Sequence, residues 1–393
     1  MRAEHALSNL EKTQGFTASL LWLASSPHIA PDVQWLAIVY AKNQVNRYWK
    51  QILPRYFVID ADEKIVIRAA ALPLALSSNV KISSQAAQLI SKIVFVDYPR
   101  HWPDFLNLLV QSVSEKVGEC IESGNRALML LNFVLKSLSS KKLLADKKEF
   151  FQISSAFFPI LSAIWFGTCK GIHDCPNSAT IESRDRYVIC CKILRRILSQ
   201  GSTKLFTNAP AVQLLGDMTH SAENWAAHLL HSSHHLLDAV PDDRCPYFLL
   251  KCLLHVLDQH SLAMAAHAER LACVCAALAQ RPASGTAAAG RTDTARLRTV
   301  CLHILSVAVS ADTGRTGPSA AAASGWRAAA GQEAAGREAV ARSLGGGEGI
   351  AGLTRCLVVQ VAPPPLSPPP PQKLLTMLAS FVLFHHSVPT VVI

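Results

Sequence analysis

Apolar residues over the first part of the chain recur at the three- and four-residue spacing of amphipathic helices. In the stretch NRALMLLNFVLKSL they fall at Ala127, Leu130, Leu131, Val134 and Leu138, on one face of a helix. The stretch SSQAAQLISKIVF repeats this pattern. Alternating patterns with hairpin signals, typical of strands, do not occur before about residue 280. The pattern therefore predicts an all-α fold for this part of the chain.

The predicted helices repeat with a period of about 45 residues, within the range of units built from helix pairs. The repeated segments begin at Asp32, Asn79 and Ser123. A neighbouring helix can approach closely at the small residues near their starts, which are Ala37, Ala86, Ala87 and Ala127. One helix pair cannot bury its apolar face alone and must stack on the next pair. We therefore predict a right-handed α-solenoid of HEAT-like helix pairs.

The stretch VDYPRHWPDFL interrupts the apolar helices with two prolines and three aromatic residues. Asp97 and the segment that leads into Pro99 should stop one helix, since a residue before proline is pushed out of the α region. Pro103 suits the first turn of the next helix. We expect an architectural corner built from Asp97, Pro99, Trp102 and Pro103, without catalysis. If Trp102 is buried there, Trp102→Ala should destabilise the protein by about 3 to 5 kcal/mol.

Composition is consistent with a large folded core and a diffuse positive charge. The 393 residues are 50% hydrophobic and carry a net charge of +10, but no long Lys/Arg block occurs, so we expect no direct nucleic-acid binding. The eleven cysteines lack framework spacing, which fits mostly buried thiols in a reducing compartment. The first residues lack the apolar core of a secretory signal, and the C-terminal apolar run Leu374–Phe384 is too short for a bilayer helix. We therefore expect no membrane span.

Motifs for chemistry are weak. His228, His231 and His235 have helical spacing and could bind zinc, but they lack an HExxH arrangement, and a polar helix face is the alternative. Cys273 and Cys275 lack the C-x-x-C redox spacing and suit core thiols. Neither a GxxxxGK[ST] phosphate loop nor a GxSxG elbow occurs. We predict no enzyme activity, no cofactor, no metal and no catalytic residue.

Three stretches in sequence order resemble the importin-β superfamily of nuclear transport receptors, also called karyopherins. DVQWLAIVYAKNQVNRYW is similar to its first-repeat signature, in which an apolar helix runs into a Lys-Asn pair and ends at a Trp. DYPRHWPDFLNLLVQSV is similar to its Asp-x-Pro-x-x-Trp-Pro corner. RALMLLNFVLKSLSSKKLLADKKEFFQISSAFFPILSAIW resembles the following repeats of the importin-eleven branch.

The resemblance implies a curved stack of HEAT repeats that shuttles between cytoplasm and nucleus through the nuclear envelope. Its partners would be Ran in the GTP form, protein cargo and Phe-Gly nucleoporins. Residues 1–115 would form the importin N-terminal, Ran-binding region, and 116–280 further HEAT-like repeats. Residues 281–393 are a low-complexity Ala/Gly/Pro-rich tail, which is either disordered or an artefact of a truncated or misjoined gene model. A HEAT-repeat scaffold without Ran-coupled transport is the alternative function.

The resemblance also implies candidate Ran contacts on the inner helices of the first repeats. The Lys-Asn pair carries over to Lys42 and Asn43, and further candidates on the next two inner helices are Lys81, Gln85, Gln88 and Arg126. Ordinary solvated faces, or hydrogen bonds between repeats, are the alternative for each residue. Four lysines around the LLAD stretch either meet an acidic patch on a partner or lie in a solvated loop, namely Lys141, Lys142, Lys147 and Lys148.

Overall fold

The computed structural model of the protein describes residues 9–50, 57–174, 179–200, 209–232, 243–280 and 288–312. All regular secondary structure in these ranges is helical. The helices are α1 Phe16–Ser25, α2 Pro31–Tyr48, α3 Ala61–Ala75, α4 Val80–Asp97, α5 Phe105–Glu119, α6 Ile121–Leu138, α7 Leu144–Asp174, α8 Ile181–Gln200, α9 Ala209–Ser232, α10 Arg244–Gln259, α11 Ser261–Met264, α12 Ala268–Gln280 and α13 Ala288–Asp312.

The helices pack in two layers. Layer A comprises α1, α3, α5, α7, α9 and α12, and layer B comprises α2, α4, α6, α8, α10 and α13. Each layer A helix packs against the layer B helix of its own pair, and each layer B helix packs against the next one along the chain. This arrangement of stacked pairs confirms the predicted α-solenoid.

Local sequence explains why the first helices begin where they do. Asp60 caps α3 by accepting a hydrogen bond from the Glu63 backbone N–H at 2.7 Å, and Asn79 caps α4 through the N–H groups of its first turn. Pro31 occupies the start of α2, where its missing N–H costs nothing.

Glu63 also fixes the start of α1, although it lies in α3. Its carboxylate accepts hydrogen bonds from the backbone N–H groups of Gly15 at 2.7 Å and Ala18 at 3.0 Å. Gly15 has φ +83°, a conformation that a side chain would make strained. The Glu63 side chain is therefore the N-terminal cap of a neighbouring helix, which joins the first two pairs within layer A.

The small residues that the repeat pattern singled out are buried. Ala37, Ala86, Ala87 and Ala127 are at most 5% exposed. Deeper in the stack, polar bonds accompany large buried rings: the Tyr187 hydroxyl lies 2.8 Å from Ser221 Oγ and accepts a hydrogen bond from Trp225 Nε1 at 3.1 Å. Buried hydroxyl and indole groups are thus paired with one another across α8 and α9.

The repeat stack continues past the predicted boundary at residue 280. Helix α13 packs against α10 and α12, and it buries Leu297, Cys301, Ile304 and Leu305. The predicted boundary at residue 115 falls inside α5. The rest of the predicted tail, from residue 313 onwards, lies outside the described residues, and the division into three regions remains a prediction.

Two helical stretches are long and apolar enough to cross a bilayer by length and composition, Leu144–Asp174 and Ser261–Ala279. In each, 44% of the most apolar window is buried inside the protein. Core helices of soluble proteins pass the same test, and these stretches pack against α8 and α9 or against α9 and α13. The absence of a membrane span remains a prediction.

Candidate partner-binding surface

Layer B exposes a continuous polar face across its first three helices. On α2, Asn43 and Asn46 are exposed, opposite the buried Ala37, Ile38 and Ala41. On α4 and α6 the corresponding exposed or half-buried positions are Lys81, Gln85, Gln88, Lys92, Arg126 and Lys136. We call this surface the layer B face. With Lys42, which is half-buried on α2, it contains every residue carried over as a candidate Ran contact.

The candidates differ in how freely they can meet a partner. Lys42 donates a hydrogen bond to Gln85 Oε1 at 2.6 Å, which links α2 to α4. Burial, followed by the nearby charge of Lys92, lowers the pKa of Lys42. Asn43 and Lys81 are exposed. A partner could contact Asn43 and Lys81 directly, whereas contact with Lys42 or Gln85 must compete with their mutual hydrogen bond.

Arg126 also has a partner inside the protein. Its Nε donates to the Leu76 carbonyl at 3.3 Å, and this carbonyl belongs to the residue that ends α3. A cationic side chain placed at the last carbonyls of a helix is favoured by the helix dipole. Arg126 thus ties the third helix pair to the second. The remaining candidate, Gln88, is half-buried on α4.

Side-chain hydrogen bonds also connect successive layer B helices beyond the candidates. Lys92 donates to Asn46 Oδ1 at 2.6 Å, and the Ser137 hydroxyl donates to the Ser91 carbonyl at 2.9 Å. Between α6 and α8, Arg196 donates to Asn132 Oδ1 at 2.6 Å. Sequence reasoning missed these pairs because their members are 46 to 64 residues apart. They fix the register of layer B.

The corner between α4 and α5 is organised by the Asp97 carboxylate, which is buried. Oδ1 accepts from Trp49 Nε1 at 3.0 Å, and Oδ2 accepts from Arg68 Nη2 at 2.6 Å and Nε at 3.1 Å. The Arg68 guanidinium carbon lies 5.7 Å from the centre of the Trp49 ring and 5.9 Å from that of Trp102. Asp97 therefore joins the ends of α2 and α4 to α3, besides ending its own helix.

The structure corrects the predicted position of Pro103. Helix α5 begins at Phe105, and the Trp102 carbonyl accepts the Phe105 N–H at 3.4 Å, so Pro103 lies in a turn before the helix. Pro99 is exposed and follows the residue that caps α4. Trp102 is half-buried, with its ring centre 4.6 Å from that of Phe105, which is buried.

The histidine and cysteine motifs have other roles in the described residues. His228 packs against Trp225 with ring centres 6.0 Å apart, and burial lowers its pKa. His235 and the side chain of His231 lie outside the described residues. Within those residues, no group of three His, Cys, Asp or Glu side chains could hold a metal ion. Cys275 is buried, but Cys273 is exposed, so the prediction of two core thiols is wrong for Cys273.

The lysines around LLAD are only partly in a loop. Lys141 precedes α7, donates to the Tyr98 carbonyl at 3.2 Å and lies 4.0 Å from an Asp146 oxygen. Helix α7 begins at Leu144, so Lys147 and Lys148 belong to its first turns. Lys142 and Lys148 are exposed.

Known proteins share sequence and fold features with this solenoid. The family description "Importin-beta N-terminal domain" matches residues 3–77. The solved structure of Lph2, titled a bidirectional nuclear transport receptor in S. cerevisiae, superposes with a TM-score of 0.71 at 17% identity, over 98% of this chain and 37% of that chain. The exportin Cse1 superposes with a TM-score of 0.62 at 15% identity, over 78% of this chain and 32% of that chain. Both structures support the fold.

Curated relatives are similar to this chain in sequence over part of its length. Importin-11 of Mus musculus is 29% identical over 267 residues, which cover 66% of this chain and 27% of the relative. Importin beta-like protein kap113 of Schizosaccharomyces pombe is 26% identical over 168 residues, or 41% of this chain and 16% of the relative. The chain thus spans about a quarter of the length of importin-11. The sequence comparisons thus show similarity to importin-β proteins, over residues 3–77 for the N-terminal domain and over 66% of this chain for importin-11.

Proposed function

We propose that the chain acts in nuclear transport by binding Ran in its GTP form through the layer B face and by taking part in cargo carriage through the nuclear pore. The observation that carries this proposal is the match of residues 3–77 to the importin-β N-terminal domain. The matched residues contribute α2, and the layer B face continues from it onto α4 and α6. Protein cargo and Phe-Gly nucleoporins are the other proposed partners, and shuttling between cytoplasm and nucleus follows from them.

Charge favours an acidic partner surface at this face. Lys81, Lys92 and Lys136 are exposed or half-buried cations of the layer B face on α4 and α6. Asn43 and Asn46 add neutral polar groups on α2. Positive and polar groups on one face favour a partner surface with carboxylates, and complementary charge raises association rates and specificity. In this mechanism the chain supplies binding energy only and performs no bond chemistry.

A HEAT-repeat scaffold without Ran coupling is a second candidate, because three candidate contacts already have partners within the protein. Lys42 and Gln85 are bonded to each other, and Arg126 is bonded to the Leu76 carbonyl. If these bonds are their whole role, the layer B face stabilises the stack and nothing more. The two functions differ in one property: a transport receptor distinguishes the GTP form of Ran from the GDP form, and a scaffold has no need to.

The test is binding of the full chain to Ran loaded with a non-hydrolysable GTP analogue and, separately, with GDP, by isothermal titration calorimetry. We expect preference for the GTP form by at least about a hundredfold, which corresponds to about 2.7 kcal/mol. Asn43→Ala combined with Lys81→Ala should weaken binding of the GTP form by about tenfold or more, because both residues are exposed.

The matched control is Asn107→Ala combined with Lys170→Ala, which removes the same side-chain types from exposed positions of the layer A helices α5 and α7. We expect the control to leave affinity within about twofold of the unmodified chain. Equal affinity for the two nucleotide forms would favour the scaffold. The same loss of affinity in both double variants would mean that net charge, rather than this face, determines binding.

A further inference from the structure

An open cavity of about 470 Å³ lies beside the corner, away from the candidate residues of the layer B face. It is formed where the C-terminal ends of α2 and α4 meet the first turn of α3. The lining residues are Trp49, Lys50, Lys64, Phe95, Val96, Asp97, Arg100 and His101. A cavity of this size accepts one or two side chains of a bound peptide rather than a folded surface.

One wall of the cavity is apolar and exposed. Phe95 and Val96, on the last turn of α4, are 42% and 40% exposed. Both side chains line the cavity. The Trp49 ring contributes the floor, since it is only 3% exposed. An apolar side chain placed here would bury surface that now contacts water.

The rim of the cavity is positive. Lys50 and Arg100 are exposed, and Lys64 is half-buried with Nζ 5.4 Å from the centre of the Trp49 ring. None of these three cations belongs to an ion pair of the described residues. Burial lowers the pKa of Lys64, so this ammonium group has lost part of its hydration, and the nearby charges of Asp97 and Asp60 offset only part of that shift.

The carboxylate in the lining does not cancel this charge. Both oxygens of Asp97 already accept hydrogen bonds from Trp49 and Arg68, and the Arg68 guanidinium balances the Asp97 charge. The field at the cavity mouth is therefore set by Lys50, Lys64 and Arg100.

We propose that this cavity is a docking site for an acidic peptide segment in which an apolar side chain is flanked by Asp or Glu residues. The apolar side chain packs on Phe95 and Val96, and the flanking carboxylates pair with Lys50, Lys64 and Arg100. The apolar wall distinguishes this partner from nucleic acid, which needs a basic stripe along its backbone and aromatic faces for bases. The proposal does not rest on Ran binding, because none of the candidate Ran contacts lines the cavity.

The test uses the full chain and the fluorescently labelled peptide Asp-Glu-Leu-Asp-Glu, with binding followed by fluorescence anisotropy. Two control peptides separate the contributions: Asn-Gln-Leu-Asn-Gln lacks the charges, and Asp-Glu-Ser-Asp-Glu lacks the apolar side chain. We expect each control peptide to bind about tenfold more weakly than the first peptide. Inorganic phosphate and single-stranded oligodeoxythymidine serve as competitors.

Variants locate the site. Lys50→Gln with Arg100→Gln should weaken binding of the first peptide by about tenfold, and both residues are exposed, so the fold should tolerate the change. Phe95→Ser should weaken binding of the Leu peptide and leave the Ser peptide unchanged. The matched control, Lys170→Gln with Arg270→Gln, changes exposed cations on α7 and α12 and should change the affinity by less than about twofold.

Four outcomes would overturn the proposal. Absence of saturable binding would remove the site. Equal losses in the two double variants would replace it by diffuse charge attraction. Displacement by phosphate with no dependence on the Leu side chain would reduce it to a simple anion site. Tighter binding of the oligonucleotide, weakened by the same cavity variants, would make nucleic acid the partner.

Discussion

Removal of the Asp97 carboxylate should destabilise the solenoid more than removal of any exposed acidic group. In the Asp97→Ala variant the buried Trp49 N–H loses its acceptor at 3.0 Å, which costs about 1 to 3 kcal/mol. Arg68 loses a carboxylate contacted by two of its nitrogens, at 2.6 and 3.1 Å. Breaking a buried ion pair costs about 3 to 5 kcal/mol.

The expected loss in the free energy of unfolding lies near the lower end of that range. The Arg68 side chain is 18% exposed, against 5% for Asp97, so the guanidinium can regain some water after the carboxylate is removed. We therefore expect Asp97→Ala to cost about 3 kcal/mol. Asp97→Asn keeps an acceptor for Trp49 but loses the charge, and it should cost about 2 kcal/mol.

Urea denaturation followed by circular dichroism and tryptophan fluorescence measures these differences. The matched control is Asp146→Ala, whose carboxylate lies 4.0 Å from Lys141 and is 24% exposed. A more exposed and longer pair should contribute less than about 1 kcal/mol. A loss below about 1 kcal/mol for Asp97→Ala, or equal losses in the two alanine variants, would refute the assignment of Asp97 as the link between α2, α3 and α4.

Three further predictions concern packing and pH. Trp102 is half-buried, whereas Phe105 is fully buried. Trp102→Ala should therefore cost about 2 kcal/mol, less than the roughly 4 kcal/mol expected for Phe105→Ala. Denaturation curves that give the larger loss for Trp102→Ala would contradict the packing of the corner. Gly124→Ala should cost about 1 to 3 kcal/mol, because the new Cβ would meet the Arg186 guanidinium and lie 3.0 Å from the Val117 Cα. The control Gly118→Ala adds its Cβ in open space and should stabilise the helix by about 0.5 to 1 kcal/mol. Equal effects of the two variants in thermal unfolding would show that α5 and α6 are not in close contact at Gly124. Burial lowers the pKa of several histidines below the usual 6.5, namely His173, His228, His255, His260 and His267. The unfolded chain therefore binds more protons at acidic pH, and the free energy of unfolding should fall as the pH drops from about 7 to 5. A free energy of unfolding that stays constant or rises over this pH range would contradict their burial.

The stack itself could be predicted from the sequence because its signals are local and periodic. Apolar residues at helical spacing define each buried face, and the small residues Ala86, Ala87 and Ala127 are buried with them. The period of about 45 residues then implies stacking, since a single pair cannot bury its core. Helix starts at Pro31 and Val80 follow from a proline at the first position and an Asn cap.

The polar connections could not be predicted because they depend on the register between repeats. Asp97 ends α4 in the sequence pattern, yet its partners Trp49 and Arg68 are 48 and 29 residues away. Likewise, the family resemblance marks Lys42 and Gln85 as contacts to a partner protein. These two residues are 43 positions apart in the sequence, and their hydrogen bond forms only because α2 packs against α4. Side-chain partner choice is therefore a property of the stack and not of the motif.

The corner cavity could not be predicted from the sequence for the same reason. Lys50 follows α2, Lys64 lies in the first turn of α3 and Arg100 follows α4, so no short motif contains them. Because these cations are far apart in the sequence, no sequence pattern indicates that they form a positive rim around an apolar wall. Only the packing of α2, α3 and α4 brings these cations to one opening.

The measurement that tests the central claim most directly is amide hydrogen exchange of the full chain, alone and with Ran in each nucleotide form. The account predicts slower exchange on the exposed faces of α2, α4 and α6 with the GTP analogue, and no change with GDP. Protection confined to the layer A helices α1, α3 and α5, or equal protection with both nucleotide forms, would contradict a Ran-GTP-specific layer B face.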